Sequence, residues 1–101
     1  MSAPGDRKPL IQIINLTTGA TVQRIFAYAK PIFKGTIQNI STEDVTLYTK
    51  EGQAAGTGII LNAATLSGKG GGALDVGNID LFNLFFVRTT SGDTLAVYSE
   101  V

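Results

Sequence analysis

The stretch LFFVRTTSGDTLAVYSE, residues 84–100, decides how the chain is read. Two β-rich runs, 84–89 and 94–100, flank TSGD, and a few turn residues with a glycine between such runs predict a β-hairpin. Just upstream, LFNLFFV (81–87) is apolar on both faces except at Asn83. It predicts a central strand covered on both sides, the outer cover being supplied by a neighbouring subunit.

Working outward, the same grammar recurs. Strands are expected at LIQIINLT (10–17), TVQRIFAY (21–28), FKGTIQNI (33–40), VTLYTK (45–50), TGIILNA (57–63) and a short ALDV (73–76), divided by Gly, Asn, Asp, Ser or Pro. In 21–28, Val22, Phe26 and Tyr28 share a face that Arg24 interrupts, and Pro31 follows as a strand breaker. In 45–50, Val45 and Leu47 point one way while Thr46, Tyr48 and Lys50 point the other. Seven or eight short strands without a convincing helical window predict an all-β fold, an antiparallel β-sandwich or barrel. The organisation expected is an extended N-terminal arm over 1–9 and one sandwich domain over 10–101.

Composition narrows the chemistry. The 101 residues contain neither cysteine nor histidine, which removes thiolate and imidazole from nucleophilic, general-base and metal-binding roles. Eight basic and eight acidic residues cancel, and the cations are scattered rather than striped. Nucleic-acid binding is therefore not expected. No apolar run approaches the roughly 20 residues that cross a bilayer, so no membrane partner is expected. Only 16% of residues are charged, against about 25% in ordinary domains, which predicts an adhesive surface.

Each candidate site has a plainer rival. The loop SGKGGGALD (67–75) looks like a phosphate cradle, but no helix follows it, and Lys69 precedes Gly70 where a Ser or Thr would hold magnesium. Gly68, Lys69, Gly70, Gly71 and Gly72 are read instead as a flexible loop tip. Asp75, Asn78 and Asp80 offer oxygens for calcium, yet a turn capping two strands accounts for them. The acids Asp75, Asp80, Asp93 and Glu100 are available for a glycosidase-like pair, but acids in the turns of a sandwich are the plainer reading. Ser67 and Lys69, two apart on a glycine loop, offer no preorganised geometry, so no catalytic residue, cofactor or metal is assigned. Tyr48, opposite the apolar face of its strand, is read as an interface anchor rather than a ligand shelf. The segment Met1, Ser2, Ala3, Pro4, Gly5, Asp6, Arg7, Lys8, Pro9 is either a frayed end or an arm that orders on a neighbouring subunit.

TIQNISTEDVTLYT, GIILNAATLSG and DLFNLFFVRTTSGDTLAVYSE, spanning about 35–100, resemble small virion accessory proteins of tailed bacteriophages. The pattern is a strand ending in Asn-x-Ser that leads to VTLY, then an LF-V strand before SGDTL-VY. It departs at Asn62–Ala64, where such proteins often carry Pro-Gly. The resemblance implies a non-enzymatic head-decoration or cement protein. Such a protein would be made in the host cytoplasm and reside in the virion, bound to the major capsid protein or another virion protein. It would work as a homo-oligomer, a trimer being favoured. The alternatives are a carbohydrate- or receptor-binding sandwich module and a tail or neck component.

Overall fold

The computed structural model describes residues 7–52, 56–64 and 70–101. Among them lie eight strands: β1 (Pro9–Leu16), β2 (Gln23–Arg24), β3 (Pro31–Asn39), β4 (Val45–Tyr48), β5 (Ile59–Leu61), β6 (Ala73–Asp80), β7 (Phe85–Val87) and β8 (Gly92–Glu100). They form two four-stranded sheets, β1-β8-β3-β6 and β2-β7-β4-β5, with every pairing antiparallel. The expected all-β sandwich is what forms, and it is not a closed barrel.

The pairing is nested. β4 pairs with β5, β3 with β6, β2 with β7 and β1 with β8. One long antiparallel ribbon, folded at the β4–β5 hairpin, is thus rolled so that successive strands alternate between sheets. This is the strand order of a jelly roll. Alternate side chains of both sheets meet between the layers, where Leu16, Ile37, Val45, Leu81, Phe86, Leu95 and Val97 are fully buried.

The hairpin expected from 84–100 does not form. β7 belongs to the second sheet, beside β2 and β4, whereas β8 belongs to the first, between β1 and β3. Turn residues mark a reversal of the chain but do not select its partner. Stacked sheets lie about 10 Å apart, and the link Arg88–Ser91 spans that distance at about 3.3 Å per residue. Burial makes the choice, since Phe86 fills the core from one wall and Leu95 and Val97 from the other. The arch is tied down by Arg88, which donates to the Ser91 carbonyl (2.9 Å) and lies 3.5 Å from the Glu43 carboxylate. That carboxylate also accepts from the Thr90 amide at 3.0 Å.

Other expectations change for local reasons. The strand over 21–28 shrinks to Gln23–Arg24, because Ile25 and Phe26 are both buried and end the alternation. Within LFNLFFV, Leu81–Asn83 forms a 3-10 turn, capped by Asp80, whose carboxylate accepts from the amides of Phe82 and Lys30. β7 follows as a central strand, as expected. Its Phe85 is covered by the chain's own Arg24, whose guanidinium lies 3.8 Å from the Phe82 ring centre and 4.5 Å from that of Phe85. No neighbouring subunit is needed there. DVGNID is strand rather than turn, since β6 runs through it to Asp80.

The crossing from β3 to β4 is organised by a buried amide. Asn39 has no exposed surface, and its Nδ2 donates to the carbonyls of Glu43 (2.7 Å) and Leu61 (3.0 Å). Its Oδ1 accepts from the Ser41 amide (2.8 Å) and lies 2.7 Å from the Ser41 hydroxyl. The Asn39 backbone bonds the glycine segment, donating to the Gly72 carbonyl and accepting from the Gly71 amide. Asn-x-Ser is therefore a structural knot joining three segments. Substitution Asn39→Ala leaves two carbonyls and an amide without their partner, and each buried orphan costs about 1–3 kcal/mol. Urea unfolding is expected to show a loss of about 3 kcal/mol or more for Asn39→Ala, with little recovery in Asn39→Asp, which lacks the donor.

Candidate interaction surface

The outer face of the first sheet follows from its register. Ile14 and Leu16 of β1 point into the core, so Ile11 and Ile13 point out, 75% and 53% exposed. Across from them on β8 lie Tyr98 and Ala96, followed by Thr36 and Gln38 on β3 and by Asp75 and Ala73 on β6. The face thus grades from apolar at β1 to polar at β6, where the Thr36 hydroxyl donates to Asp75 at 2.8 Å. Tyr98 donates its hydroxyl to Glu100 at 2.8 Å. That hydrogen bond, with lesser help from burial and from the carboxylate's charge, raises the phenol above its ordinary value of 10.0.

A second apolar patch sits at the opposite side of the sandwich. Ile59 and Ile60 of β5 are 53% and 60% exposed, because among the described residues this edge strand has only β4 beside it. Phe33 on β3 is partly covered by Arg7, whose guanidinium lies 4.6 Å above its ring. Its exposure follows from a change of phase in β3, where Ile32 and Gly35 are buried but Phe33 and Lys34 are not. The facing Asn78 has a positive φ of 51°.

Several residues singled out from the sequence have other places. Tyr48 is buried rather than outward, with its ring edge against Gly58. Strand alternation did put it opposite Val45 and Leu47, but the chain entering β5 covers that side. It is neither an exposed anchor nor a sugar shelf. Gly71 and Gly72, unlike the exposed Gly70, are not a loose tip. Gly71 and Gly72 bond the Asn39 and Asn62 backbones, and a Cβ on Gly71 would sit 2.2 Å from the Asn62 carbonyl oxygen. These glycines permit backbone to approach backbone. Gly68 and Lys69 lie outside the described residues, as do Ser67 and Met1 to Asp6.

The sandwich begins before its expected boundary at residue 10. Pro9 opens β1, and Lys8 exchanges two backbone hydrogen bonds of 3.1 Å with Val101. Arg7 lies 4.0 Å from Glu100. Asp75 and Asp80, weighed as calcium oxygens, lie five apart on β6 and are engaged separately, Asp75 by the Thr36 hydroxyl and Asp80 as the cap of the 3-10 turn. Among the described residues, no three acidic side chains gather as a metal site would need.

Ile11 and Ile13 are the surface residues that sequence reasoning passed over. The signal was present, since LIQIINLT carries isoleucine at both parities and cannot bury them all on one face. The chain is thus a two-sheet antiparallel sandwich that presents apolar side chains at two opposite edges. No family model, no curated protein and no solved structure matches it.

Two outcomes test this description. Gly71→Ala is expected to destabilise the fold by about 2 kcal/mol in urea unfolding, because the added methyl meets fixed backbone rather than a movable side chain. A phenol with a raised pKa contributes stability that is complete below its unfolded value near 10.0 and is lost as pH rises through the folded value. The stability of the unsubstituted chain is therefore expected to fall more between pH 9 and pH 12 than that of Tyr98→Phe, measured by unfolding at each pH.

Proposed function

We propose that this chain is a non-enzymatic structural protein of a bacteriophage virion that binds a capsid and decorates or reinforces it as an oligomer. The observation that carries the reading is the pair of exposed isoleucine patches, at Ile11 and Ile13 and at Ile59 and Ile60, on a surface short of charge. Apolar patches rimmed by polar residues mark protein contact sites. Repeated shell subunits multiply a weak contact of that kind by avidity. The resemblance of residues 35–100 to virion accessory proteins supplies the kind of shell. Jelly rolls serve capsid and lectin domains alike, so the surface rather than the architecture decides between the readings. Tyr48, the tyrosine singled out as a possible sugar platform, is buried, which leaves Tyr28 as the exposed tyrosine for that reading.

The purified chain is expected to co-sediment with shells of the virus that encodes it, and particles lacking it are expected to lose infectivity at lower temperature. Ile59→Lys together with Ile60→Lys is expected to weaken co-sedimentation while the thermal unfolding of the free chain stays unchanged. A chain that remains at the top of the gradient with every such particle overturns the reading.

A further inference from the structure

Sheets end in edges, and three of the four here are blunted. β2 has two residues, β5 has three, and β6 carries Asp75, Asp80 and the positive-φ Asn78. Short length, charge and kinks are the devices that discourage strand addition. β1 has none of them along its middle. It runs eight residues, PLIQIINL, without a charge, and among the described residues it pairs only with β8.

Its hydrogen-bonding pattern can be read residue by residue. Lys8 exchanges both backbone bonds with Val101, so in this antiparallel ladder Leu10, Gln12 and Ile14 also face β8. The N–H and C=O groups of Ile11 and Ile13 therefore point to the open side. That open stretch is closed at both ends. Pro9 has no N–H to offer. At the far end, the Gln23 side chain donates to the Asn15 carbonyl at 2.9 Å and accepts from the Thr17 amide at 2.9 Å.

We infer that the β1 edge pairs with β1 of a second copy of this chain, antiparallel about a two-fold axis at Gln12, joining two four-stranded sheets into one of eight. In that register Ile11 faces Ile13 of the second copy, and these residues supply four backbone hydrogen bonds. Pro9 falls opposite Asn15, so the missing donor meets the acceptor already taken by Gln23. The closed ends match each other only in this self-pairing. Charge agrees, because identical uncharged strands meet without repulsion. The four outward isoleucines become cross-strand neighbours.

The two-fold also accounts for an orphan. Gln12 Oε1 is buried without a hydrogen-bond partner among the described residues of the single chain. Opposed at the axis in a non-hydrogen-bonded pair, the two Gln12 residues have Cα atoms about 4.5 Å apart. Each side-chain amide then reaches the other. The groove beside the edge, bordered by Ile13, Asn15, Arg24 and Phe82, leaves room for the incoming strand. The contact is two-fold, unlike the trimer that the phage resemblance favours, and it does not depend on what the protein decorates.

The full chain is expected to sediment at twice its 10.6 kDa. Ile11→Lys combined with Ile13→Lys, both at exposed positions, is expected to return it to the single-chain mass with cooperative thermal unfolding retained. Mixing that variant with Ile11→Glu plus Ile13→Glu is expected to restore the doubled mass. The natural chain has no cysteine, so Gln12→Cys is expected to oxidise to a covalent dimer faster than the exposed control Ile59→Cys. A single-chain mass for the unsubstituted protein overturns the inference. So does an oligomer indifferent to the double lysine variant, or equal crosslinking at the two cysteine positions. Loss of shell binding with the doubled mass intact counts against the capsid reading alone.

Discussion

The fold depends on one buried carboxamide. Asn39 ends β3 with its side chain fully inside, and both ends of its amide are occupied by backbone of the crossing to β4 and of β5. Its own backbone holds the glycine segment that leads into β6. Four of the eight strands are thus oriented around one polar group. An amide in such a place is costly unless satisfied, and its satisfaction allows only one path for the chain. Specificity here comes from polarity inside, while the apolar core supplies the bulk of the stabilisation.

The same division of labour recurs at the other crossings. Asp80 caps the 3-10 turn between β6 and β7, and Arg88 with Glu43 ties the arch between β7 and β8. Gln23 reaches back to the end of β1. Because every connection except β4–β5 passes from one sheet to the other, backbone groups at the rims have no ladder to join. Side chains supply what the ladder cannot.

Much of the layering was legible in the sequence. Strand positions followed from the alternation of β4 and, elsewhere, from β-rich runs and the turn residues between them. Pairing was not legible. The TSGD turn between β7 and β8 reads alike whether its flanks stay in one sheet or part, and only the opposing burial of Phe86 and Leu95 separates the two. Tyr48 was misplaced because alternation assigns a side of the strand but not what covers it, and here the cover is the chain around Gly58. The glycines at 70–72 suggested looseness, since composition cannot distinguish a glycine that moves from one that admits a neighbour. Asn39 was visible as part of Asn-x-Ser, yet its burial required the fold. The open edge at β1 needed the ladder's parity, which no propensity encodes.

The nesting of the strand pairs has a kinetic side. β4 and β5 close over a short stretch of chain, whereas Leu10 meets Ser99 only after nearly the whole polypeptide has been gathered. Long closures cost more entropy and slow folding when contacts are distant in sequence. Pairing from the middle of the ribbon outward keeps each closure short, and on that route the strand that docks last is β1, whose far side has no described strand beside it. A newly made chain exposes that strand longest, at the stage when other nascent chains are its nearest neighbours.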